Sequence, residues 1–366
     1  MRRLTAALGA GALICGPTVL AFFSGGYFDR PRIIAAMAAW ALVVLAALVA
    51  PRPLPASTAG RVALAGMALL CAWTALSLAW APIGERAQDD LQRLLLYLGC
   101  FVAALGLLRI EPARRLLEPL MVLGAFVVVG YALSERLVPE LIELSRSRSS
   151  AGRLEQPLSY WNALGAVAAI GFVLAARVAG DVERSQALRT LTAAAGVWLG
   201  LGVYLSFSRG ALAAAAAGLL MLLALAPNGR TQLRSAVTIT LAAGVASIVA
   251  TGLGTITALE VGEQGDAGEG LQMLAVLVVL SLACAFMVPR RPRLTVPAPS
   301  IGVSRPVAVL SATVVVALAG AVAVAVFEGK PEGTSPAPGA DPDRLRSIDI
   351  NRYRYWRLRS RRGAAG

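Results

Sequence analysis

Long apolar runs and short polar breaks alternate along the whole chain. Eleven runs read as spans, at roughly 4–23, 33–50, 62–81, 91–108, 116–133, 161–176, 190–206, 210–226, 236–258, 271–288 and 307–327. At about 1.5 Å of rise per residue, such runs are matched to a hydrocarbon core about 30 Å thick. No ten-residue alternation of a membrane strand occurs, so a β-barrel is not expected. The pattern predicts an all-α, polytopic transmembrane helical bundle of about 11 spans over residues 1–327. Residues 328–366 then form a tail that opens as a Pro/Gly-rich linker and ends in the basic run Arg352–Arg362. Arg2 and Arg3 precede the first run in the manner of a signal peptide. The stretch around Phe22-Phe23-Ser24 lacks the small-x-small pattern of a cleavage site, so the first run is read as a retained span.

Composition narrows the class. Of the 366 residues, 57% are hydrophobic and 15% charged, and the mean hydropathy is +0.69. A soluble domain carries about 25% charged residues, so a soluble enzyme is excluded. Disorder is excluded by the low polarity. The chain has no histidine, which removes histidine as a general base or metal ligand, and no metal or cofactor is expected. Cys15, Cys71, Cys100 and Cys284 all lie in apolar runs without a CxxC pair and read as packing residues. Lys330 is the single lysine among 34 basic residues, consistent with a coding bias that also favours Ala and Gly. The net charge of +13 is scattered over short loops and does not form one face, so nucleic acid is not expected as a partner.

The loops orient the spans. With a cytoplasmic N-terminus, sixteen basic residues fall on the inner side and nine on the outer side ahead of the tail. That bias predicts a multi-pass protein of the plasma or inner membrane, in contact with membrane lipids, with its N-terminus inside. Eleven spans then leave the tail, and the C-terminus, extracytoplasmic. The basic end of the tail, taken alone, would favour the inner face. Tyr27, Trp80, Tyr131, Tyr160, Trp161 and Tyr204 fall at outer span ends, as an aromatic belt does.

Inner arginines thus have an orienting role, and outer ones need another. Loop 134–160 carries Arg136, Arg146, Arg148 and Arg153. Each reads either as a solvated headgroup contact or as part of a guanidinium cluster for phosphate, whose oxygens the planar fork matches two at a time. Arg209 sits in the hairpin Leu205-Ser206-Phe207-Ser208-Arg209-Gly210-Ala211, with almost no loop between two spans. It reads either as a snorkelling arginine or as an anion ligand at a cavity mouth. Gly210 permits a tight turn there, and the following helix would offer its N-terminal N–H groups to the same anion.

Three stretches together carry a resemblance. Arg153-Leu-Glu-Gln-Pro157-Leu-Ser-Tyr-Trp-Asn162 sets an outer-loop arginine before an asparagine that opens a span. Ser208-Arg209-Gly210 occupies an outer hairpin, and Asn351-Arg352-Tyr353-Arg354-Tyr355-Trp356-Arg357 lies beyond the last span. In order, spacing and setting, from about residue 60 to 357, the chain resembles the O-antigen ligase and O-antigen polymerase superfamily.

The resemblance implies a metal-independent glycosyltransferase of cell-envelope polysaccharide biosynthesis. Such an enzyme moves glycan from a polyprenyl-diphosphate carrier to an acceptor glycan or lipid on the outer face of the membrane. It implies that Arg153, Arg209 and Arg352 hold the diphosphate, that Asn162, Ser208, Gly210 and Trp356 shape the site, and that residues 328–366 begin the family's large outer loop. Glu155, two residues from Arg153, is the expected catalytic carboxylate for the acceptor hydroxyl. Two departures accompany the likeness. Family ligases use a loop histidine, and members continue through more loop and at least one further span. The expectation is therefore of a truncated chain, inactive alone or dependent on a partner. A transporter or flippase of a lipid-linked or anionic substrate is the alternative; it predicts charged residues in mid-span, and the spans carry essentially none.

Overall fold

The computed structural model describes residues 2–50, 55, 57–109, 111–226 and 229–288. The expected span 307–327, the tail 328–366, Arg352 and Trp356 lie outside the described residues. Of those described, 79% are helical and none is in a strand. The order is α1 (Arg2–Ala21), a 3₁₀ turn (Ser24–Gly26), α2 (Asp29–Val49), α3 (Thr58–Ser77), α4 (Gly84–Leu107), α5 (Glu111–Leu137), α6 (Trp161–Gly180), α7 (Gln186–Leu205), α8 (Arg209–Leu225), α9 (Gly229–Thr251), α10 (Gly254–Thr257) and α11 (Ala267–Met287). Among the described residues nine helices are long and apolar enough to cross a membrane, and α8 is a shorter apolar helix. The chain is a multi-pass helical membrane protein.

The helices run past the apolar runs into polar flanks. Side chains at their starts explain this: Ser57, Ser185, Ser208 and Asp266 each accept a hydrogen bond from a first-turn N–H. That satisfies donors which would otherwise end the helix at the interface. One span differs in kind. The run 236–258 is not continuous helix, because α9 stops at Thr251 and the separate turn of α10 follows. Gly252 and Gly254 flank that break.

The chain divides into two compact units, with the boundary inside α5 between Val128 and Val129. In the first unit α2 packs on α1 and α4, and α3 packs on α4. Its core is Ala10, Ala46, Ala103, Leu107 and Ala113. In the second unit α6 packs on α7, α8 and α9, and α11 packs on α7 and α9. Small residues let these backbones close up, as packing in lipid requires. A Cβ on Gly200 of α7 would lie 2.3 Å from Cβ of Ala243 on α9. We expect Gly200→Leu to destabilise the second unit by about 1–3 kcal/mol, the range for an overpacked core. Gly244→Leu is the control, since a Cβ there meets nothing within 4 Å. Equal unfolding curves for the two variants in detergent would show that the α7–α9 contact tolerates bulk.

Candidate functional site

Strict up-and-down threading sends three connections of the second unit to one end: the α5–α6 loop, the α7–α8 hairpin, and the α9–α11 segment containing α10. Hydrogen bonds join all three. Leu154 N donates to the carbonyl of Leu205 at 3.1 Å, and Leu259 N donates to that of Gly152 at 3.3 Å. The opposite end is tied as well. Arg189 Nε donates to the carbonyl of Ala179 at 3.0 Å and Gln232 Nε2 to that of Ala176 at 2.7 Å. Arg189 takes a carbonyl left over at the C-terminus of α6, where a cation is favoured, and the neutral Gln232 amide adds a bond one turn earlier.

Three arginines organise the loop. Arg136, in the last turn of α5, is only 3% exposed. Its Nη1 donates to the carbonyls of Ile256 and Thr257, the latter at 3.0 Å, and its Nη2 to the carbonyl of Gly152 at 2.6 Å. One guanidinium therefore fastens α5, the α5–α6 loop and α10. Arg146 pairs through Nε with the buried Glu135 at 3.1 Å and donates through Nη1 and Nη2 to the carbonyls of Glu260 and Glu263. Glu135 also accepts from Leu144 N at 3.0 Å. Arg136 is thus a buried strut, not a headgroup contact, and the loop begins at 138 because α5 continues to Leu137.

Arg153 is the third. It is buried, with Nε donating to the carbonyl of Ser150 at 2.5 Å and Nη2 to that of Ser149 at 3.0 Å. Its guanidinium carbon stands 3.7 Å from the ring centroid of Trp161, the first residue of α6. That stacking is a cation–π contact of a kind worth about 0.5–2 kcal/mol, and it fixes the plane of the fork. Glu155 is buried beside it; Oε1 accepts from Ser147 N at 2.6 Å and Oε2 from Ser147 Oγ at 2.7 Å. In this arrangement Glu155 holds the 147–150 turn through the backbone N–H and the hydroxyl of Ser147.

The hairpin is built differently from the sequence expectation. Gly210 is an ordinary helical residue inside α8, and the left-handed backbone belongs to Phe207, at φ 45°. Ser208 is the N-cap of α8 and accepts from Ala211 N at 3.3 Å. Ser206 Oγ donates to the carbonyl of Val203 at 2.7 Å and accepts from Ser208 N at 3.3 Å. Arg209 opens α8 and is half-buried. Gly165 of α6 seats the hairpin, since a Cβ there would lie 2.5 Å from Ser206 Oγ. Asn162 Nδ2 donates to the Tyr160 hydroxyl at 2.7 Å, on the exposed side of the α6 start.

No family model, curated protein or solved structure matches this chain.

The same end gathers unusual backbone. Ala151 (φ 46°), Ser159 (φ 54°) and Phe207 (φ 45°) are three of the four described non-glycine residues in the left-handed region. Such conformations persist only where surrounding contacts impose them, and they concentrate at functional sites. Sequence reasoning singled out Arg153, Glu155, Asn162, Ser208, Arg209 and Gly210. The structure brings their two segments together through the Leu154–Leu205 bond. It adds Glu135 and Ser147, and it gives Arg146, already marked as a loop arginine, partners that spacing along the chain does not reveal.

Proposed function

We propose that this end of the second unit is an anion site for a polyprenyl diphosphate, and that the chain is a ligase or polymerase of the O-antigen type. In this reading it transfers glycan from that carrier to an acceptor glycan or lipid at the outer face of the inner membrane. The N-terminus is then cytoplasmic and residues 328–366 extracytoplasmic. The observation that carries the reading is the Leu154–Leu205 hydrogen bond, which draws the Arg153 segment onto the Ser208-Arg209-Gly210 hairpin.

The chemistry follows from charge. An acceptor hydroxyl oxygen attacks the anomeric carbon as the bond from that carbon to the diphosphate oxygen breaks. The diphosphate leaves with the electron pair, and the hydroxyl proton passes to a carboxylate. Charge grows on the leaving group, so fixed guanidinium groups stabilise the transition state more than the ground state. Arg153, Arg209 and Arg352 fill that role in the proposal. Glu155 receives the proton, with the Ser147 hydroxyl as the group that already faces it.

The test is binding of a polyprenyl diphosphate to the full chain in nanodiscs. A charge-assisted hydrogen bond contributes about 1.5–3 kcal/mol. Arg153→Ala and Arg209→Ala should each weaken binding by about ten-fold to a hundred-fold. Arg209→Lys should restore only part, because the ammonium lacks the fork. The control is Arg148→Ala, an exposed arginine of the same loop outside the signature. If it loses as much as Arg153→Ala, or if Arg209→Ala binds like the parent, general loop charge accounts for the affinity and the assignment fails.

A further inference from the structure

In the first unit a groove of about 850 Å³ runs between α1, α2 and α4. Its walls include Leu13, Gly16 and Leu20 of α1, Ile34 and Ala38 of α2, and Leu96 of α4. Arg30, in the first turn of α2, is its one charged wall residue. The acidic groups near that turn are committed elsewhere. Asp29 and Asp89 pair with Arg32 at 2.5 and 2.8 Å, and Asp90 pairs with Arg93 at 2.7 Å. Among the described residues Arg30 has no hydrogen-bond or ion-pair partner, and its side chain is exposed.

The groove has a direction and a length. Tyr27 and Phe28 are 69% and 60% exposed beside Arg30, as aromatic residues are at a membrane–water interface. From Arg30 to Leu42, the two extremes of its α2 wall, the helix rises about 18 Å. That is close to half the hydrocarbon thickness of about 30 Å, the depth of one leaflet. Nothing in the α1 backbone requires the groove to stay open at Gly16. A Cβ there meets nothing within 4 Å.

We propose that this groove seats one anionic glycerophospholipid, an acyl chain lying along α1, α2 and α4 and the phosphate against Arg30. The apolar wall calls for a hydrocarbon occupant, the unpartnered guanidinium at one end calls for an anion there, and the single-leaflet length fits an acyl chain. This site is separate from the arginines of the second unit and does not depend on their role.

Native mass spectrometry of the purified full chain tests it, with phosphatidylglycerol and phosphatidylcholine supplied in equal amounts. The parent should retain one phosphatidylglycerol molecule in preference to phosphatidylcholine. Arg30→Gln should reduce that preference by about five-fold, the value of one arginine near an anionic surface. Gly16→Leu should fill the groove and lose the retained lipid of either kind, while melting no lower than the delipidated parent. Unchanged preference in Arg30→Gln overturns the headgroup contact. Unchanged retention in Gly16→Leu overturns the seat. Displacement of phosphatidylglycerol from the parent by an equimolar polyprenyl phosphate would assign the groove to the carrier lipid and overturn the proposal as well.

Discussion

Arg136→Ala should destabilise the second unit by about 3 kcal/mol and release the α5–α6 loop. The side chain is buried and gives charge-assisted hydrogen bonds to the carbonyls of Ile256, Thr257 and Gly152. Each such bond contributes about 1.5–3 kcal/mol, and a buried acceptor left without a donor costs about 1–3 kcal/mol. The Gly152 carbonyl keeps the N–H of Leu259, so the loss falls mainly on the α10 carbonyls and is less than the sum. Arg136→Lys should recover a minority of the loss, because one ammonium cannot span acceptors on α10 and on the loop together. Unfolding in detergent gives the stability, and protease cleavage within residues 138–160 reports the loop. If Arg136→Ala unfolds with the parent and the loop stays protected, Arg136 is not the strut described here.

The contrast between Arg136 and Arg148 shows where sequence reading stopped. Both lie among the outer arginines between two spans, and nothing local separates them. Arg136 meets Ile256 from 120 positions away, while Arg148 is exposed. Burial of a loop arginine is decided by such long-range partners, which one sequence does not contain. The spans were legible for the opposite reason. Bilayer thickness fixes the length of an apolar run, and backbone groups in lipid must be satisfied within the helix. Among the described spans most differ only at their ends, by the reach of caps such as Ser57 and Asp266, whereas the run 236–258 breaks after Thr251. At the hairpin, glycine was the natural choice for a strained turn, yet the packing of Gly165 against Ser206 and Ala211 puts the left-handed residue at Phe207. The two segments expected to form the site do meet, because alternation of the spans sends both to the same end.

Arg32 carries the second large expectation, in the first unit. It is two residues from Arg30, and on a helix residues so spaced face away from each other. Arg30 is exposed whereas Arg32 is 1% exposed. Its Nη2 donates to Asp29 Oδ1 at 2.5 Å, Asp89 Oδ1 at 2.8 Å and Gln92 Oε1 at 2.9 Å, and its Nη1 to the Tyr27 carbonyl at 3.0 Å. The α2 start is thereby fastened to α4 across a gap of 57 to 60 positions. Removing one partner of a buried ion pair costs about 3–5 kcal/mol. Asp29 and Asp89 are 70% and 41% exposed and regain water once the arginine is gone, which lowers the expectation for Arg32→Ala to about 2–4 kcal/mol. Asp89→Asn alone should cost less, since Asp29, Gln92 and Tyr27 still hold the guanidinium. A double-mutant cycle between positions 32 and 89 should return a coupling of about 1–2 kcal/mol, within the range for residues in one hydrogen-bonded network. Additive losses in that cycle would mean that α2 and α4 are held by their apolar faces, with Arg32 only accommodated between them.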